Sequence, residues 1–100
     1  MRQELLKQEA LENFLEVYSF DKTDEETIRL TNNFEDCWNQ LKTDEERCAF
    51  KINCCYYIED NKCKIYFHVF DYNKDSYRDI SLKQFRLMDR TNIAIYPTIL

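Results

Sequence analysis

One hundred residues suffice for one domain and for no second core, because a chain this short buries only about 60–70% of the surface its unfolded form exposes. An apolar fraction of 44%, with seven Phe, seven Tyr and one Trp, supports a packed interior rather than disorder, and the absence of Gly excludes P-loops, dinucleotide fingerprints and nucleophile elbows. The net charge of −5 is unevenly divided: residues 1–46 carry 13 acids and 5 bases (net −8), residues 47–100 carry 6 acids and 9 bases (net +3).

From Arg2 to Phe20, the residues Leu6, Ala10, Leu11, Phe14, Leu15, Val17 and Tyr18 recur every three or four positions with Glu4, Glu9, Glu12 and Glu16 between them, which predicts an amphipathic helix with an acidic outer face. Thr23 followed by Glu26 reads as a capping box that opens a second helix running to about Lys42, with Ile28, Leu30, Phe34, Cys37, Trp38 and Leu41 as its apolar stripe. The short link through Asp21 and Lys22 makes the two helices antiparallel neighbours. Lys-Thr-Asp-Glu-Glu occurs at 22–26 and again at 42–46; the second copy is expected to start a helix of about one turn.

After Arg47 the pattern is read with a period of two. Phe50, Ile52, Cys54, Tyr56 and Ile58 alternate with more polar neighbours, as do Cys63, Ile65, Phe67 and Val69, so a β-hairpin over about 48–70 is expected. A two-residue turn at Asp60 and Asn61 sets Ile58 opposite Cys63, Tyr56 opposite Ile65, Cys54 opposite Phe67 and Ile52 opposite Val69, all apolar, with Glu59 opposite Lys62. Asp71 to Asp79 reads as a polar loop. Ser81 and Gln84 offer a capping box for a short helix through Leu82, Phe85 and Met88, although Ile80 and Leu82 also suit a third strand, and Ile93 to Tyr96 reads as a last strand ended by Pro97. The fold class expected is α+β: an N-terminal antiparallel helical hairpin on a small antiparallel sheet, in one domain.

Five Cys at 37, 48, 54, 55 and 63 contain no Cys-x2-Cys pair, and the hairpin register sets Cys54 and Cys55 on opposite faces with Cys63 roughly 13 Å along the sheet from Cys54. No zinc site or other cofactor is therefore expected. With no apolar h-region near the start and no apolar run of about 18 residues, neither a signal peptide nor a membrane span is expected, and reduced thiols in the cytoplasm follow. The same register brings Cys55, His68 and Asn53, the residue types of a thiol hydrolase, close together on the outer hairpin face, but a flat Gly-free face offers neither cleft nor oxyanion hole; no catalytic residue is assigned.

Two surfaces are left that could bind a macromolecule. The acidic helices present Glu12, Glu16, Asp24, Glu25 and Glu35, a surface matched to a basic or nucleic-acid-binding protein, with carboxylates standing in for phosphates. The outer hairpin face carries Lys51, Tyr57, Lys64, Tyr66, His68 and Phe70, rings interleaved with bases as on a single-stranded nucleic-acid platform. In size, acidity and richness in Asn, Lys, Asp, Ile and Tyr the chain resembles the small accessory proteins of phages and mobile elements, counter-defence inhibitors among them. The likeness is one of composition, without a motif, and assigns no residue. The expectation is a non-enzymatic inhibitor or adaptor that binds one protein target, with single-stranded nucleic acid as the alternative, a second copy of the chain compatible with either, and no membrane.

Overall fold

The computed structural model describes residues 2–98, which form an α+β fold. Helices α1 (Arg2–Tyr18) and α2 (Asp24–Gln40) form the antiparallel hairpin that their periodicity predicts. Phe14 of α1 meets Phe34 of α2 edge-on at 5.5 Å, and both rings are fully buried. Burial on this scale stabilises by about 1.5–3 kcal/mol per side chain. Thr23 caps α2 by accepting the Glu26 amide at 3.2 Å, while its own amide donates to Asp21 Oδ1 rather than to the Glu26 side chain, so Asp21 completes the cap. Ile28, assigned to the apolar stripe, is instead 63% exposed: it precedes Leu30 by two positions and falls on another side of the helix.

The largest correction concerns residues 44–55. The second Lys-Thr-Asp-Glu-Glu opens not one turn but a ten-residue helix, α3 (Asp44–Asn53), capped by Thr43 Oγ1 on the Glu46 amide. Glu46, Ala49, Phe50 and Asn53 are its buried positions, spaced three, one and three apart as one helical face requires. This stretch satisfies periods of two and of 3.6 at once, and the cap with three acids in the first turn favours the helix. Cys54 ends it in the left-handed conformation (φ 55°). The pairs Ile52–Val69 and Cys54–Phe67 therefore do not exist, and Ile52 is 40% exposed on α3.

Strand β1 (Tyr56–Glu59) is thus short, and it pairs with β2 (Lys62–Asp71) in the predicted register, from Tyr56↔Ile65 to Glu59↔Lys62. Asp60 and Asn61 both take positive φ (52° and 60°), as a type I′ turn demands. The segment read as a loop contains a turn followed by β3 (Ser76–Ser81), antiparallel to β2 from Asp71↔Ser76 to Tyr66↔Ser81. Its alternation of Tyr77 and Asp79 with Arg78 and Ile80 is partly hidden because only Ile80 is buried. The Ser81–Gln84 capping box is complete and starts α4 (Leu82–Leu87). After a 3-10 turn, β4 (Ile93–Ile95) pairs with β2 through Val69↔Ile95, so Ile95 takes the place foreseen for Ile52.

β2 is the axis of the sheet, with β3 along one edge and β1 and β4 sharing the other. Between β1 and β4 the buried Asn53 side chain substitutes for strand: the His68 amide donates to Asn53 Oδ1 (2.9 Å), and Asn53 Nδ2 donates to the carbonyls of His68 (3.0 Å) and Tyr96 (3.2 Å). Cys63, Ile65, Phe67 and Val69 face the helices and join Phe34, Phe50 and Phe85 in one core; Phe67 and Phe85 lie 4.7 Å apart. Among the described residues, no helix packs on the opposite face of the sheet.

Candidate functional site

Alternation along β2 sends Lys64, Tyr66, His68 and Phe70 to the face away from the core. Register adds Tyr57 from β1 opposite Lys64, and Tyr77, Asp79 and Ser81 from β3 opposite Phe70, His68 and Tyr66. Tyr57 and Tyr66 lie 6.0 Å apart. A second group centres on Tyr77, which stacks on His68 (5.4 Å, 5° between planes) and meets Phe70 edge-on at 5.0 Å and Tyr96 at 6.3 Å, while Tyr72 packs on Phe70 at 5.5 Å. His68 Nδ1 and Asp79 Oδ1 are 2.7 Å apart between the two groups.

Two clefts of about 420 Å3 each open on this face, and Tyr66 and Asp79 line both. One also has Tyr57, Ile65, Ile80 and Ser81; the other has Asn53, Cys55, His68, Tyr96, Pro97 and Thr98. The second gathers the residue types considered for a thiol hydrolase, in an arrangement unsuited to that chemistry. The Cys55 thiol is buried and lies 3.3 Å from the Asn53 carbonyl as a donor, and burial pushes its pKa up. Asn53 orients the His68 peptide rather than its ring. A nucleophilic cysteine needs the reverse, a partly exposed thiol with a lowered pKa. Burial likewise raises Cys37 and Cys63, and lifts Cys54 to about 12.

Of the residues assigned to the aromatic face, Tyr57, Lys64, Tyr66, His68 and Phe70 are brought together and Lys51 is not. Lys51 sits on α3 and pairs with Glu9 of α1 at 2.5 Å. Asn53, at the end of α3, and Cys55, just beyond it, are buried in the floor of the second cleft rather than displayed on the face. Tyr72, Tyr77, Asp79 and Tyr96 join it unforeseen; the period-two run from Tyr77 to Ser81 was the signal available for two of them. Without Lys51, the strand positions of this face carry Lys62 and Lys64 against Glu59 and Asp79, a balanced set.

The five acidic positions are split. Glu12, Glu16, Asp24 and Glu25 are exposed toward the α1–α2 link, where Glu12 and Glu16 share a shallow groove with Leu15, Ser19, Lys22 and Thr27. Phe20 stands in that link 89% exposed. Glu35 lies near the other end of the hairpin, in an ion pair with Lys7 at 2.9 Å. Among the described residues no three His, Cys, Asp or Glu side chains are grouped so as to hold a metal ion, and no helix is long and apolar enough to cross a membrane. No protein family, curated protein or solved structure compared with this chain matches it.

Proposed function

We propose that this chain is a non-enzymatic interaction protein that binds a protein partner through the aromatic outer face of its sheet. The observation that carries the reading is the set of rings from Tyr57 to Tyr96 on a sheet face that no helix covers among the described residues. Tyrosines and phenylalanine give large contact area at low cost in conformational entropy, and they dominate the energetics of protein interfaces. Acidic residues on the helices would speed the encounter with a basic partner, the sheet face supplying most of the affinity. Single-stranded nucleic acid suits the rings but not the charges, since a backbone of phosphates would meet Glu59 and Asp79 as well as Lys62 and Lys64.

Affinity capture from host lysate, with and without nuclease, followed by quantitative binding of the captured partner, tests the proposal. A nuclease-resistant protein whose Kd rises by about thirtyfold or more for Tyr66→Ala or Tyr77→Ser is the expected result. A partner held equally by both variants would place binding elsewhere, and a nuclease-sensitive catch would favour nucleic acid.

A further inference from the structure

The cleft lined by Tyr57 and Tyr66 is one of the two concavities on the proposed binding face. Its volume of about 420 Å3 is near the lower end of ligand pockets, room for one side chain rather than a strand or helix. The two rings pack on each other, tilted at 48° with centroids 6.0 Å apart, and both line the cleft. Asp79 lines the same space. Its Oδ1 lies 2.7 Å from His68 Nδ1, it accepts no other side-chain hydrogen bond among the described residues, and its side chain is 61% exposed. Ser81 adds a hydroxyl, and Ile65 and Ile80 supply the apolar part of the lining.

Two electron-rich ring faces beside a carboxylate select for positive charge. An anion would be repelled by Asp79, and a neutral apolar group would desolvate that carboxylate without compensation. Among cations the planar guanidinium fits best, because it stacks on a tyrosine face while its fork of N–H donors meets a carboxylate. Lys64, the cross-strand neighbour of Tyr57, does not line the cleft and makes no ion pair among the described residues. The chain's own net charge of −5 adds a long-range attraction for such a group.

We propose that this cleft receives an arginine side chain of the protein partner, with the exposed ring surface of the Tyr57–Tyr66 pair for it to stack on and Asp79 as the counter-charge. The assignment rests on the reading of the sheet face as a protein-binding surface and names the group that the surface recognises. Partner arginines seated against aromatic rings are typical centres of interface energy, and a −5 chain would meet them on a basic protein.

The test is an NMR titration of the full chain with N-acetyl-arginine methylamide, against its citrulline and lysine counterparts. Saturable shifts confined to Tyr57, Tyr66, Asp79 and their neighbours are expected at concentrations on the order of millimolar, with lysine weaker and citrulline silent. Asp79→Asn and Tyr66→Leu should each weaken arginine by about threefold to tenfold while the remaining spectrum stays that of the parent. Equal shifts from arginine and citrulline, shifts only at other surfaces, or binding of a short oligothymidine in this cleft instead of the arginine analogue would overturn the assignment. If the arginine analogue fails while Tyr77→Ser still releases the captured partner, the arginine assignment falls and the binding face stands; if partner binding is also indifferent to Tyr77→Ser, both fall.

Discussion

The carboxamide of the buried Asn53 occupies the gap on the edge of β2 between β1 and β4, where it pairs with the amide and carbonyl of His68 in place of a neighbouring strand. Removing it leaves the His68 peptide unsatisfied, so Asn53→Ala should cost about 1–3 kcal/mol in urea unfolding. Ile52→Ala, one residue earlier but 40% exposed, should cost far less, within about 1 kcal/mol. Equal costs would mean that α3 is rotated from the placement described, or that the stretch is strand after all. The thiols divide in the same way by position: Cys48 is exposed on α3, whereas Cys37, Cys54, Cys55 and Cys63 are buried. Brief iodoacetamide treatment of the native chain should label Cys48 alone, with the other four labelled only after denaturation, as mass spectrometry of peptides would read. Rapid native labelling of Cys55 would show that its cleft is more open than the burial of its thiol allows.

At the scale of elements, α3 and α4 are held together by an ion pair between the buried Glu46 and the exposed Arg86. Glu46 accepts Arg86 Nη2 at 2.9 Å and Arg86 Nε at 3.0 Å, and it also accepts the Lys42 amide at 2.8 Å. Hydrogen bonds from Arg86 hold the Glu46 carboxyl below the usual carboxylate range. A depressed folded pKa means that the stabilisation is complete above the unfolded value of about 4.3 and is lost as pH falls through the lower folded value. Arg86→Met should therefore destabilise by about 1.5–3 kcal/mol at neutral pH. The gap between variant and parent should be smaller at about pH 3 than at neutral pH, because the parent's charge-dependent stabilisation is lost as pH falls below the unfolded value toward the lowered folded one. Urea midpoints at the two pH values check this, and a gap that stays constant across them would show that Arg86 contributes packing rather than charge.

For the molecule as a whole, the division of charge becomes a division of surfaces, with carboxylates on the helical hairpin and rings on the far face of the sheet. Changing Glu12, Glu16, Asp24, Glu25 and Glu35 to their amides should slow association with the captured partner by roughly tenfold at low salt, with little change in dissociation. Glu35 should contribute least, since Lys7 already neutralises it. The helices should persist, with some loss at the start of α2, where Asp24 and Glu25 favour the helix dipole. Stopped-flow association across a salt series decides the matter: unchanged rates and an unchanged salt slope would reduce the acidic surface to a solvated face.

Local rules made much of this chain legible without coordinates. Helical periodicity and the Thr23 cap located α1 and α2, the Asp60–Asn61 turn fixed the β1–β2 register, and Ser81 with Gln84 placed the start of α4, because each depends on residues a few positions apart. Between Asp44 and Cys55 the period-two reading failed, since the apolar positions there fit the helical period as well. The helix wins in three dimensions, where Phe50 joins the Phe14–Phe34 cluster, Glu46 finds Arg86 and Asn53 finds the edge of β2. That outcome moved Lys51 off the aromatic face and made room for β4 beside β2. Tyr72, Tyr77 and Asp79 came to the surface site through the β2–β3 hairpin, in a segment read as a loop, and Tyr96 through β4, which pairs with β2 from further along the chain. A sequence determines which residues can alternate or cap by itself; which strand stands beside which, and so which rings share a face, depends on how the whole core closes.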